Sequence, residues 1–214
     1  MQYATVIIGD IVKSRRLRER RAAQRHLKAL ITSLNRHFRK VSLSRFVITL
    51  GDEFEGSLCD FSAVPDVIWQ IETSFRDAPI RLGFGFGSLS TDVSRSPLEM
   101  DGEAFHNARA AIEKARKENL SGAAFRGFGI EEDEILNGFA RILHHHWNRL
   151  TRRQQETLAL RRAGYAQVQI AARFGVTEST VSQASRKAGW QAFSEAEQGF
   201  RAALTLRRRR GPKP

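Results

Sequence analysis

The chain has 214 residues, 41% hydrophobic and 27% charged, with a formal net charge of +12 and one cysteine, Cys59. This is the composition of a folded soluble protein with room for one large domain or two small ones, and it excludes an internal disulfide and a cysteine-based zinc cluster. No apolar run nears the ~18 residues of a membrane span, and Met1-Gln2-Tyr3-Ala4 has no basic segment ahead of an apolar one, so a cytoplasmic protein without a membrane partner is expected.

Tyr3 to Ile8 is a β-branched run suited to a buried strand. Leu17 to Phe38 has helical spacing, with Leu27, Leu30, Ile31 and Leu34 on one stripe and many arginines on the other. From Lys13 to Arg45 there are 12 Lys/Arg against one acid, Glu19. Two readings of that stretch stand side by side: a second polyanion-binding surface, or a solvated helix face balanced by acids elsewhere. Phe46 to Leu50 and Glu53 to Leu58 flank Gly51-Asp52 and predict a hairpin. Val64 to Arg76 predicts a helix, Ile80 to Leu89 a strand after Pro79, and Glu103 to Glu118 another helix. The order β-α-β-β-α-β, then a helix, predicts an α+β protein whose residues 1–130 form a ferredoxin-like palm.

Gly122, Gly127, Gly129 and the acidic run Glu131 to Glu134 read as a seam. Beyond it the pattern is helical throughout, and a small all-α helix-turn-helix domain with a basic C-terminal tail is expected over 136–210. The charge supports the division. From Leu136 onward 15 Lys/Arg stand against 4 Asp/Glu, a net of +11, while residues 1–135 carry 20 and 19, a net of +1. A polyanion is the natural partner of the last third.

Within that third, Thr151 caps a helix ended by Gly164, Ala166 to Phe174 predicts a second, Gly175 a tight turn, and Thr177 caps a third ending at Gly189. Ile170, Phe174, Val176, Val181 and Ala184 fall where two crossed helices share a core, with small Ala171 at the crossing. This arrangement resembles the helix-turn-helix of sigma-factor region 4. The resemblance implies that the third helix enters the major groove of double-stranded DNA. Ser179, Thr180 and Gln183 are then at its reading end beside the Thr177 cap, Arg186 and Lys187 on phosphates, and Arg152, Arg153 and Arg173 on the flanks. A homodimer is expected because such units grip two-fold operators in pairs.

In the first part, Asp10 ends the first strand and Asp52 sits at the hairpin, so the two carboxylates are expected to meet, as a pair that holds Mg²⁺ against a triphosphate would. Gly9, Gly51 and the Gly83-Gly85-Gly87 face leave room for a ligand or a helix. A purely structural reading stands beside this one, with Asp10 capping a turn and Asp52 serving the hairpin. Ile8-Gly9-Asp10-Ile11-Val12 resembles the metal-binding strand of class III nucleotidyl cyclases. Leu50-Gly51-Asp52-Glu53-Phe54 resembles the hairpin of GGDEF diguanylate cyclases with its first glycine replaced, and Ala104-Phe105-His106-Asn107-Ala108-Arg109 is similar to a phosphate-facing helix of those enzymes. The order of all three also resembles the SatD family. This resemblance implies Mg²⁺ on Asp10, the Ile11 carbonyl and Asp52 or Glu53, and phosphates near Lys13, Gly51 and Arg109. The partner implied is a nucleoside triphosphate or cyclic nucleotide. Leu50 is bulky where GGDEF enzymes need access to the nucleotide, which favours binding over turnover.

The remaining candidates read as structural. Adjacent histidines in His144-His145-His146 point about 100° apart on a helix and do not converge on one ion, so they are expected on a solvated face. Trp147 and Trp190 read as packing anchors, and Cys59 has no basic activator beside it. Two functions follow: a DNA-binding regulator whose degenerate palm senses a nucleotide, or an active nucleotidyl cyclase or nucleotidyltransferase localised by its helix-turn-helix.

Overall fold

β1 (Tyr3–Ile11) is the middle strand of the molecule and is buried from Ala4 to its end. The structure, a computed structural model, describes residues 2–210 of the chain and side chains through 206, so those of the Arg207 to Arg210 run and all of 211–214 lie outside the described residues. β1 takes part in a five-stranded sheet of order β2-β3-β1-β4-β5, with β2 (Ser42–Leu50), β3 (Glu53–Leu58), β4 (Ile80–Ser88) and β5 (Gly122–Arg126). It pairs antiparallel with both β3 and β4, β2 pairs antiparallel with β3, and β4 pairs parallel with β5. Eight α-helices accompany the sheet among the described residues, giving a mixed α and β chain.

The alternation of β1 divides the core in two. Ala4, Val6 and Ile8 face α3 (Glu103–Lys117), which packs there through Ala104, Phe105, Ala108 and Ile112. Ile7 and Ile11 face the opposite layer, built from α1 (Arg20–His37), α2 (Val64–Ser74), α4 (Ile130–Arg149) and α8 (Trp190–Arg210). The expected α1 stripe is the buried one: Leu27, Leu30, Ile31 and Leu34 all lie in this core.

The glycine face of β4 is filled by a helix. A Cβ on Gly85 would stand 2.1 Å from the Ala108 nitrogen and 2.2 Å from the Ala104 carbonyl oxygen, so α3 rests directly on the strand backbone.

β5 is a departure from the sequence reading, which placed a seam there. Gly122-Ala123-Ala124-Phe125-Arg126 has no β-branched residue, and its extended state comes from the ladder with β4, reached through α3 as the crossover that parallel pairing requires. The acidic run expected in the seam is the first turn of α4, where Glu131, Glu132 and Asp133 suit the positive end of the helix. Residues from both sides of that segment share one core: Phe125 stacks on Phe84 at 4.9 Å and meets Phe200 of α8 edge-on at 5.7 Å.

Two of the three histidines on α4 are not on a solvated face. His144 bonds Glu72 at 2.7 Å and Ser121 at 2.9 Å, and His146 bonds the Ala188 carbonyl at 2.7 Å, because α4 is packed between α2 and the helices that follow; His145 alone is exposed. Trp147 is buried against Trp69, Leu158 and Phe193, a packing anchor as its sequence position suggested. No helix among the described residues is long and apolar enough to cross a membrane.

Candidate nucleic-acid interface

Three short helices follow α4: α5 (Arg152–Arg162), α6 (Gln167–Phe174) and α7 (Glu178–Lys187). Thr151 caps α5 through a reciprocal pair of bonds with Gln154, its hydroxyl accepting from the Gln154 N–H at 3.3 Å and its own N–H donating to the Gln154 side chain at 2.9 Å. α6 ends at Gly175, whose φ of 64° is left-handed; the Val176 N–H returns to the Ala171 carbonyl at 3.0 Å and the Gly175 N–H to Ala172 at 3.3 Å. The chain therefore reverses at once, and the Thr177 hydroxyl accepts from the Thr180 N–H at 3.2 Å to start α7. Ile170, Ala171 and Val181 form the buried centre of this unit, with Leu160 and Phe174 against it. Val176, expected in that core, is 36% exposed because it sits in the turn itself.

That core holds α7 by one side only. Thr177, Ser179, Thr180, Gln183, Arg186 and Lys187 are all exposed, as are Arg152, Arg153 and Arg173. Arg153 lies 3.5 Å over the Phe174 ring, and Arg152 reaches Glu156 at 3.2 Å. Arg173, Arg186 and Lys187 have no carboxylate within ion-pair distance among the described residues, so their charge is open to solvent or to an anion.

The unit is tied to the sheet layer by charge as well as by packing. Asp66 of α2 accepts from Arg162 of α5 at 2.8 Å and from Arg201 of α8 at 2.7 Å, and Arg162 also lies 4.5 Å over Trp69. Burial by itself would raise the Asp66 carboxyl, but the bonds from Arg201 and Arg162 outweigh it and hold it below the ordinary value.

On the far face of the sheet a second polar group is buried beside α3. Arg81 of β4 stands opposite Asp10 of β1 and donates from Nη1 to both of its oxygens, at 2.9 and 3.1 Å. Arg116 of α3 donates to Asp10 Oδ2 at 2.6 Å, and Arg109, two helical turns earlier, donates to Glu53 Oε1 at 2.9 Å. Glu55 lies 3.8 Å from Arg109; its burial raises the carboxyl, Arg109 opposes this, and Glu53 adds to it. Three carboxylates and three guanidiniums thus form one cluster.

Residues 3–193 match the SatD family model. The chain belongs to the SatD family. None of the curated proteins matches it. Among solved structures it is similar to the crystal structure of a regulator of polyketide synthase expression from Bifidobacterium adolescentis, at 16% identity and a TM-score of 0.28, over 99% of this chain and 87% of that one.

Across from Asp10 in the β1–β3 ladder is Glu53, and Asp52 lies in the turn, its carbonyl accepting from the Ile11 N–H at 3.3 Å. Gly51 is exposed there with φ of 53°, and Lys13 is exposed with φ of 55°. Arg109 is on the cluster, bonded to acid. Arg81, Arg116 and Glu55 were missed; the signal for Arg116 was its place seven residues after Arg109 on the same helix face. A hard dication needs free carboxylate oxygens; both of Asp10 and Oε1 of Glu53 already accept from guanidiniums, while Glu53 Oε2 lies 3.7 Å from Arg116. Among the described residues no group of three His, Cys, Asp or Glu side chains is placed to hold a metal ion.

Proposed function

We propose that this SatD-family protein is a DNA-binding regulator, with α6, Gly175 and α7 as a helix-turn-helix and α7 as the helix that enters the major groove. The observation that carries the reading is α7 itself. It is anchored by Val181 and the buried Ser185 on one side, while Ser179, Gln183, Arg186 and Lys187, with Thr180 bonded to the Thr177 hydroxyl, stand exposed on the other. A glutamine can pair with two edges of an adenine, hydroxyls serve bases or phosphates, and the terminal Arg and Lys neutralise phosphates. The left-handed Gly175 and the Thr177 cap supply the abrupt reversal such a unit needs. A homodimer acting on a two-fold site belongs to the same reading.

The β1-α1-β2-β3-α2-β4 order with strand order β2-β3-β1-β4 supports a ferredoxin-like palm for the N-terminal part, extended by α3 and β5. In this proposal the half-exposed Arg109 and Arg116 are where a nucleotide phosphate docks, exchanging their carboxylate partners for phosphate oxygens. The guanidinium bonds on Asp10 and Glu53 count against an active cyclase, so turnover forms no part of it.

The test is a selection of duplexes from a random pool, followed by binding measurements on the enriched and a scrambled sequence. Gln183→Ala is expected to cut the preference for the enriched sequence by about 5- to 150-fold, the ~1–3 kcal/mol of one base-edge pairing, while leaving scrambled-sequence affinity near wild type. No enrichment, or a Gln183→Ala protein that discriminates as well as wild type, overturns the assignment of α7.

A further inference from the structure

We infer that the outer face of α1 is a second, sequence-independent phosphate-binding surface, used together with α7 on duplex DNA; the inference rests on the DNA-binding reading and extends it to another part of the chain. All twelve Lys/Arg between Lys13 and Arg45 are exposed, and among the described residues none has a carboxylate within ion-pair distance. Asp77, which reaches α1 from the segment between α2 and β4, is taken by His26 at 2.9 Å. The two readings left open by the sequence are thereby separated: the acids of the sheet domain do not balance this helix.

The charge is also ordered. Ala23, Leu27, Leu30 and Leu34 form the buried stripe of α1. Arg21, Arg25, Lys28 and Arg36 recur at three- and four-residue steps, or multiples of them, on the side directly opposite. From Arg21 to Arg36 the stripe runs about 22 Å along the axis, at 1.5 Å per residue, which matches roughly six base-pair steps of a duplex strand at 3.4 Å. Like charges at such spacings repel one another and oppose the helix, so the stripe gains most from a partner that brings a row of negative charge.

Three chemistries carry such a row, and the surroundings choose among them. A membrane-surface helix needs an apolar face free to enter the lipid boundary beside its cations, and the apolar face of α1 is consumed by the protein core. A protein partner needs aromatic or aliphatic anchors at the centre of the patch, and the stripe offers only guanidiniums, one ammonium and Thr32. A polyphosphate backbone needs the cations alone. Sequence reading stays with α7; α1 supplies affinity, and with it salt dependence.

The experiment compares the full-length protein with a variant carrying Arg21→Gln, Arg25→Gln, Lys28→Gln and Arg36→Gln, and with an all-lysine version of the same stripe. Binding to the selected and to a scrambled duplex is followed by anisotropy from 50 to 300 mM salt. The glutamine variant is expected to show a slope of log affinity against log salt shallower by about 3 to 4, since each phosphate contact contributes about 0.9. Its affinity falls for both duplexes alike, its sequence preference is unchanged, and the lysine version keeps the wild-type slope. A glutamine variant with wild-type slope, in a protein whose Gln183→Ala form has lost discrimination, overturns the α1 inference and leaves the α7 reading standing. Loss of binding to phosphatidylserine vesicles without loss on DNA also overturns it, in favour of a membrane surface. A wild-type protein that binds neither duplex overturns both readings.

Discussion

The side-chain amide of Asn137, on α4, closes both hydrogen-bonding groups of Phe125 on the edge strand β5: Oδ1 accepts from the Phe125 N–H at 2.9 Å and Nδ2 donates to its carbonyl at 3.0 Å. The other edge of the sheet carries the same device. Asn35 of α1 accepts from the Phe46 N–H of β2 and donates to the Phe46 carbonyl, both at 2.8 Å. An asparagine amide is a peptide group in miniature, so each one acts as a one-residue extra strand. Each edge phenylalanine is thereby satisfied while its ring points into the core. Open strand edges invite pairing with other chains, and here a helix residue occupies part of each edge.

Asn137→Ala removes one such plug. The Phe125 N–H and carbonyl lose their partner in a half-buried place, a cost of about 1–3 kcal/mol. The urea midpoint is expected to fall accordingly, and light scattering should show concentration-dependent association absent from wild type. Asn137→Asp should fall between the two, since a carboxylate still accepts from the N–H but repels the carbonyl. An alanine variant as stable and as monodisperse as its parent would remove the edge-capping role.

Gly85→Ala is expected to be among the most damaging single-methyl additions in the chain. The added Cβ would meet Ala108 and Ala104 backbone atoms at 2.1 and 2.2 Å, and a helix backbone cannot rotate away as a side chain can. Overpacking commonly costs about 1–3 kcal/mol; displacing α3 from β4 should cost about 3 kcal/mol or more. Gly51→Ala meets no atom within 4 Å and has only its positive φ to strain, so it should cost about 1 kcal/mol or so. Thermal unfolding of the two variants side by side checks the ordering.

What the sequence made legible is what local chemistry decides. Thr151, Gly175 and Thr177 announce their caps and turn within a few residues of themselves, and the α1 stripe follows from spacing alone. β5 was hidden because its strand state is imposed by β4, some forty residues away. The pairing of Asp10 with Arg81 was hidden for the same reason: only the β1–β4 register sets them side by side. Asp10 and Asp52 looked like a pair because a hairpin brings the turn near the strand end, yet the register sets Glu53, one residue on, across from Asp10. His144 and His146 looked solvated because nothing in their own helix reveals that Glu72 and Ala188 come to meet them.

Asp10→Asn should destabilise strongly. Arg81 is buried and also donates to the Leu120 carbonyl at 2.9 Å, so losing the Asp10 charge leaves a guanidinium uncompensated away from water, a penalty of about 3–5 kcal/mol. Arg116 is half-exposed and can turn to solvent, so Arg116→Gln should cost far less. Denaturant titration of Asp10→Asn, Arg116→Gln and the joint replacement Asp10→Leu with Arg81→Met checks this. The joint replacement should recover much of the loss, because it removes both charges together. If Asp10→Asn proves neutral, the cluster is not what holds this end of β1.

Two carboxylates should tilt the pH profile in opposite directions. Asp66 is held below its ordinary value, so the folded state binds fewer protons there than the unfolded chain; its contribution is present above about pH 4 and is lost as pH falls through the folded value. Glu55 is raised, with burial the leading cause, so the folded state binds more protons there, and stability declines as pH rises from about 4.5 through the folded value. Asp66→Asn is therefore expected to lower stability at pH 7 and to flatten the acid limb below pH 4. Glu55→Gln keeps the shape, removes the buried charge, and should leave stability at pH 7 equal to or above wild type while erasing the decline above pH 4.5. Urea midpoints at half-unit intervals from pH 3 to 8 separate the two. A Glu55→Gln protein that is less stable at pH 7 and unchanged at pH 4 would mean that the attraction of Arg109 outweighs the burial of the charge.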